Sequence, residues 1–311
     1  MISLFKKIFI YSILIFLTLE LLVRALHLYS DVPKWYLAED NIYKRVPSQN
    51  GYTVYGNRRQ VFSEYRINKA GYNSYHEFNP TEQGFEIAIL GDSFIEGLHQ
   101  DYYNSIGRKV ERKLANIKIY EYGYPEFDLA DQLHLMARNK KLFDLVDFII
   151  LEIKYPVDLL RNEYAVKDRE LALPFLRHSK LLVYMLDIGM IDPIKNVLRN
   201  FDIGQEPTIP NRSDLTKDSL YIANLENLLA KYPLDKKQWS FLIDSRGVNP
   251  IFIDFLEKEN IEYIDYGPSF KKAGNRPTTL VFDRHWNDYG RTLVARQIEK
   301  YLSGRQIGNN L

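Results

Sequence analysis

A serine at the end of an apolar run is the residue in this sequence best placed to do chemistry. Ile87-Ala88-Ile89-Leu90 leads into Gly91-Asp92-Ser93, and Phe94-Ile95-Glu96-Gly97 follows. The four apolar residues read as a buried strand, the Gly-Asp pair as a turn, and the run beyond it as the opening of a helix. A hydroxyl at such a junction projects from the carboxyl edge of a parallel sheet. It sits beside backbone N–H groups at a helix N-terminus, which are free to hold an oxyanion. A serine alcohol is a weak nucleophile and needs a base. Asp283-Arg284-His285-Trp286-Asn287, far downstream, offers one in His285.

The other polar candidates weigh less. Without Ser93, His285 would read as a hydrogen-bonded loop histidine. Asp92 suits a turn-fixing role through bonds to backbone N–H groups, and Trp286 suits packing. His99 follows Ser93 closely enough to be an alternate base. His134, beside Gln132, reads as a surface residue, and His178, with Arg177 and Lys180, as a solvated basic face. Asp92, His99 and Asp131 have no metal-ligand spacing, so neither a metal nor another cofactor is expected.

These residues need a frame to hold them. Glu86–Leu90, Ile117–Tyr122, Leu145–Ile153, Trp239–Ile243 and Ile261–Tyr266 read as strands. Helical spacing occupies Asn104–Asn116, Asp128–Leu142, Pro250–Glu259 and Asp288–Leu302, with a polar loop over Lys271–Thr279. Strand and helix alternate from residue 86 onward, which predicts a parallel sheet covered on both faces with ligands at its carboxyl edge. The chain has 311 residues, 46% of them hydrophobic, enough for one large α/β domain and an appendage. A formal net charge of +1 argues against nucleic acid as a partner. The absence of cysteine excludes disulfides, thiolate metal sites and a cysteine nucleophile. The 23 tyrosines suit sugar or interface contacts.

Gly91-Asp92-Ser93 joined to Asp283-x-His285 just before the last helix resembles the SGNH, or GDSL-type, hydrolase superfamily. The resemblance spans roughly 65–303. It includes Asn68–Asn73, similar to an Asn-x-x-Gly-aromatic stretch upstream of the serine block in membrane-anchored members. It implies a three-layer α/β/α flavodoxin-like fold and esterase, lipase, thioesterase or carbohydrate O-acyl transfer chemistry. By motif, Ser93 would be the nucleophile, His285 the general base and Asp283 the group that orients and stabilises the imidazolium. The family often places the Asp three residues before the His. The two-residue spacing followed by Trp286 is similar to SGNH-like domains of polysaccharide O-acetylation proteins.

The family's oxyanion donors match less well. Besides the Ser93 N–H, the second block would contribute from Gly123-Tyr124-Pro125-Glu126, where Glu126 stands in place of the family's glycine. The third block, Ile153-Lys154-Tyr155-Pro156-Val157-Asp158, lacks the family's Asn, leaving Asn162, Asn287 or Lys154 as substitutes. Loss of one such donor costs about 10²–10³ in rate.

Lys6 and Lys7 precede an apolar stretch from Ile8 to Val23. At ~1.5 Å per residue this approaches a ~30 Å hydrocarbon core once its apolar flanks are added. Glu20 and Arg24, four apart, can pair near the outer interface. The basic flank predicts a cytoplasmic N-terminus, and the lack of a small-x-small cleavage site favours an uncleaved signal anchor over a signal peptide. The expected organisation is a transmembrane helix over 1–26 and an irregular stalk or wrap over 27–64. A hydrolase domain would follow over 65–303, with a helical insertion at about 174–230, and then a flexible tail over 304–311. The expected protein is a single-pass, extracytoplasmic esterase or O-acyltransferase acting on acyl groups, acetyl above all, of a cell-surface carbohydrate. Polysaccharide-assembly proteins would be its further partners. Two alternatives are a catalytically inactive SGNH-like module that binds glycan or a partner, and a lipid esterase or thioesterase.

Overall fold

The computed structural model describes residues 2–56, 59–81, 84–167, 178–190 and 215–305. Its elements are α1 (Ile2–Ala25), β1 (Trp35–Leu37), β2 (Tyr43–Arg45), β3 (Asn50–Tyr55), β4 (Val61–Arg66), β5 (Phe85–Gly91) and α2 (Ser93–Glu96). Then come α3 (Ile106–Glu111), β6 (Ile117–Gly123), α4 (Leu129–Arg138), α5 (Lys140–Phe143), β7 (Phe148–Glu152) and α6 (Lys180–Asp187). The last are α7 (Leu215–Lys231), β8 (Trp239–Ile243), α8 (Pro250–Lys258), β9 (Tyr263–Asp265), α9 (Gly267–Lys272) and α10 (Asp288–Gly304).

β5 to β9 form a five-stranded sheet in the order β6-β5-β7-β8-β9, and every pairing is parallel. Counted from its own first strand, this is the 2-1-3-4-5 order of flavodoxin-like folds. The order reverses at β5, so a crevice opens at the carboxyl end of that strand. Side chains alternate across the sheet as the pleat requires. Ile87 and Ile89 point to the face covered by Val110 of α3 and by Val294, Ile298 and Leu302 of α10. Ala88 and Leu90 point to the face covered by Leu133 of α4, Leu225 and Leu228 of α7, and Phe252 of α8. This is the expected three-layer α/β/α architecture.

The elements differ from expectation in several places. The helix read over Asn104–Asn116 is only α3, capped at its start by Ser105. Asn116, at φ +59°, turns the chain into β6. The helix read over Asp128–Leu142 is broken at Asn139 into α4 and α5, and the Asn139 side chain donates to the Leu135 carbonyl (2.9 Å). The polar loop from Lys271 begins inside α9. The segment read as irregular carries four strands, two of them only three residues long and too short to show alternation. Within the region read as a helical insertion, α7 is part of the layer that covers the sheet, with Leu225 and Leu228 fully buried. The rest of that region is described only over 178–190, and the tail only as far as residue 305.

The chain divides into two compact units. The sheet unit comprises Pro33–Asn50, Glu64–Asp168 and Asn211–Leu311. In it Arg45 is buried, donates from Nε to Glu96 at the end of α2 (2.9 Å) and from Nη1 to the Pro33 carbonyl (2.7 Å), and stacks on Trp35. The second unit comprises Met1–Val32, Gly51–Ser63 and Arg169–Pro210. In it α1 exposes Leu4, Phe5, Phe9, Ile15 and Leu21, and Ser3–Ala25 is long and apolar enough to be a membrane span or a signal sequence. Glu20 pairs with Arg24 as expected, and its carboxylate also accepts from Ser179 Oγ (2.9 Å) and from the N–H groups of Lys180 (2.9 Å) and Leu181 (2.8 Å). The one acidic residue of α1 therefore caps the N-terminus of α6.

Candidate active site

The buried apolar strand β5 ends at Gly91, and Asp92 caps the short helix α2 by accepting from the Phe94 N–H (2.8 Å). That cap makes Ser93 the first helical residue and turns its hydroxyl out over the sheet edge. Asp92 thus has the turn-fixing role expected of it. The opposing wall comes from the loop before α10. An isolated bridge joins Thr279 to Trp286, and the Leu280 N–H donates to the His285 carbonyl (2.9 Å). Trp286 is buried edge-on to Phe94 and Tyr266, which fixes the residue before it. The packing role expected of Trp286 is what it has.

This loop brings His285 onto Ser93 across 192 positions of sequence: Nε2 and Oγ are 2.7 Å apart. On the other side Nδ1 lies 2.6 Å from Asp283 Oδ1, and the His285 backbone N–H donates to the same oxygen (2.9 Å). The carboxylate is an acceptor, so the ring carries its proton on Nδ1 and leaves Nε2 free to accept the serine proton. Burial disfavours the imidazolium and holds His285 below the ordinary histidine value, against the opposing pull of Asp283. Partial burial of Asp283 opposes its charge, but the His285 backbone and ring N–H groups hold it below the usual carboxylate range.

The faces of the His285 ring are also occupied. Phe94 stacks on one (centroids 4.5 Å apart) and His99 on the other (3.9 Å, planes 21° apart). His99, read as a possible alternate base, lies past the end of α2. α2 stops at Glu96, and Gly97 at φ +66° reverses the chain, a conformation that favours glycine. The reversal brings His99 Nε2 to 3.3 Å from Asp283 Oδ2. Ligand atoms of His99, Asp283 and His285 lie within 4.8 Å of one another, but Ser93 and Asp283 already engage both nitrogens of His285.

Beneath the serine lies a charged cluster. Lys154 pairs with Asp92, sits 3.5 Å above the Phe94 ring, and is 3.8 Å from Glu152. Its own N–H donates to Asp158 (2.7 Å). Burial opposes the Lys154 charge, but Glu152 and Asp92 hold its ammonium above the ordinary lysine value. Burial, reinforced by Asp92, pushes Glu152 up to about 7. Burial and the Glu152 and Asp92 carboxylates push Asp158 well above the carboxylate range.

No protein-family model and no curated protein matches the chain. Solved structures do. A lipolytic protein of the G-D-S-L family from Veillonella parvula is similar at 15% identity and a TM-score of 0.39, over 70% of this chain and 98% of that one. A lipase/acylhydrolase from Enterococcus faecalis is similar at 13% identity and a TM-score of 0.40, over 71% of this chain and 96% of that one. A catalytic mutant of an acetylxylan esterase from Geobacillus stearothermophilus is similar at 15% identity and a TM-score of 0.38, over 74% of this chain and 97% of that one.

The residues read as oxyanion donors have different surroundings. Gly123 ends β6 beside Gly91 and packs against α2 so closely that an added Cβ would lie 2.1 Å from the Glu96 nitrogen. Glu126 takes φ +58°, and its carbonyl accepts from Lys167 (2.7 Å). Asn162 is exposed. Asn287 has a different job: it caps α10 by accepting from Gly290, and its amide donates to the Pro277 (2.8 Å) and Thr279 (3.0 Å) carbonyls. Both amide hydrogens are therefore taken up by the loop, and the donor role expected of Asn287 is corrected to that of a staple. Two histidines also differ from or match their readings. His134 is not a plain surface residue, since it is half-buried and stacks on Tyr164 (3.8 Å). His178 is exposed, as read. Sequence reasoning missed Phe94, Glu152 and Asp158. Glu152 carried a signal, an acidic residue closing an otherwise apolar strand.

Proposed function

We propose that this protein is a serine esterase or O-acyltransferase of the SGNH type, anchored in a membrane by α1, with Ser93, His285 and Asp283 as its catalytic triad. The observation that carries the reading is His285 held between Ser93 Oγ at 2.7 Å and Asp283 at 2.6 Å, within hydrogen-bond reach on both sides. In this reading Ser93 Oγ bonds to the carbonyl carbon of an ester while its proton passes to His285 Nε2. The negative charge gathers on the former carbonyl oxygen, toward the Ser93 N–H and the N-terminus of α2. Collapse of that adduct breaks the ester C–O bond, and the leaving alcohol takes the proton from His285. Water, or an acceptor hydroxyl, then gives its proton to His285 and attacks the acyl carbon; the acyl–Oγ bond breaks, and His285 returns the proton to Ser93 Oγ.

Lys154 is the strongest substitute for the family's missing Asn, since its ammonium stands over Phe94 beside the cap of the nucleophile helix. The substrate proposed is an O-acetyl group on a surface carbohydrate. Support for it comes from the Asp283-Arg284-His285-Trp286 spacing and from the apolar helix that would hold the enzyme at the membrane. One experiment tests the assignment of Ser93 and the anchor. Washed membranes from cells expressing the full chain are treated with a fluorophosphonate probe and assayed on a small acetyl ester. A labelled band and esterase activity are expected in the membrane fraction, and both vanish in Ser93→Ala. Undiminished labelling of that variant overturns the assignment of Ser93. Label and activity found only in the soluble fraction overturn the anchor.

A further inference from the structure

The triad reading leaves unexplained a buried histidine that touches two of its members. His99 lies flat on His285, with ring centroids 3.9 Å apart and planes 21° apart, and its Nε2 is 3.3 Å from the Asp283 oxygen that His285 does not use. Phe94 stacks on the opposite face of His285, and Lys154 stands over the far side of Phe94. The aromatic layers therefore run Phe94, His285, His99, with Asp283 bridging the edges of the two imidazoles. A base with one hydrogen bond to a carboxylate can still swing about that bond. A base with both faces covered and its carboxylate held from a second direction cannot.

We propose that His99 is a positioning residue of the triad, a neutral imidazole that donates to Asp283 and covers the face of His285. The proposal rests on the Ser93–His285–Asp283 reading and adds to it the residue that holds two of its members in register. The neutral state is what the surroundings impose. Burial, with His285 alongside, lowers His99 to about 3 despite the Asp283 carboxylate. The charged groups that face the pair are Asp283, Arg291 from α10, and Lys154 and Asp92 at the end of the sheet. A protonated His99 would set a second cation against the imidazolium that His285 becomes during the reaction. A neutral ring instead offers its π-face to that cation and keeps water from it, while its N–H shares the carboxylate.

Two substitutions separate the two contributions. His99→Phe keeps a ring over His285 and removes the donor. His99→Gln keeps a donor for Asp283 and removes the cover. Each should lower kcat on a small acetyl ester about tenfold, with KM within about twofold, because neither residue touches the ester. In each, the acid limb of kcat/KM should move to higher pH, since either an unshared Asp283 or a hydrated ring favours the imidazolium. The same shift should be read without turnover. Imidazole NMR of the full chain in detergent, in a Ser93→Ala background, should show His285 titrating higher in both variants, and His99 not titrating above pH 5 in the parent. A His99 that titrates near pH 6.5 overturns the proposal. So does an acid limb and a His285 titration unchanged in both variants, even if their melting temperatures fall. The triad reading fails separately, if Ser93→Ala retains esterase activity.

Discussion

Every part of the His285 ring has a neighbour. Ser93 and Asp283 take its two nitrogens, and Phe94 and His99 take its two faces. Burial lowers its affinity for a proton. A general base is competent when deprotonated, so a lowered value extends activity toward acid. The acid limb of the kcat/KM profile, which reports the free enzyme, should therefore lie below the ordinary histidine value. Asp283→Asn offers an amide where an acceptor is needed and reverses the ring's tautomer. It should cost about 10⁴ in kcat while leaving the thermal melt little changed. The three polar members of this arrangement were legible in the sequence, because a serine after an apolar strand and an Asp-x-His before a helix are local patterns. The faces of the ring were not. Phe94 and His99 meet His285 only because Gly97 reverses the chain and the Thr279–Trp286 bridge returns the loop, and neither contact leaves a spacing to read.

At the scale of elements, the loop before α10 is the most exposed to failure, since it carries Asp283 and His285 on few backbone bonds. Asn287 is its staple, capping α10 and donating to two loop carbonyls. Asn287→Ala should cost about 1–2 kcal/mol by denaturant unfolding. It should also lower kcat, because the freed loop no longer holds His285 at Ser93. Lost stability with unchanged kcat would show that Trp286 alone fixes the loop. The strands of the parallel sheet and the last helix were readable from sequence, since β7, β8 and all of β5 beyond Phe85 are buried and their residues are mostly apolar. The shorter elements were not. β1 and β2 are three residues each, and Asn139 interrupts an amphipathic pattern that runs on past it. Periodicity carries no trace of a break made by one side chain turning back on its own helix.

In the whole molecule, a parallel sheet covered on both faces was implied by alternation of strand and helix, and the reversal of its strand order at β5 sets Ser93 at the crevice. Which early residues belong with the sheet was not implied, since Arg45 reads as one more charge in a polar stretch. In the fold it is buried, it grips Glu96 at the end of the helix that begins with Ser93, and Trp35 lies against its guanidinium. Removing one partner of such a buried pair costs about 3–5 kcal/mol. The sheet unit is therefore not a cassette that can be cut out at residue 65, where the resemblance in sequence starts. A recombinant fragment beginning at residue 65 would carry the whole triad and every strand of the parallel sheet, yet should melt well below one beginning at residue 33. It should also lose its fluorophosphonate reactivity first on warming, because the missing clamp holds the far end of the helix that begins with Ser93.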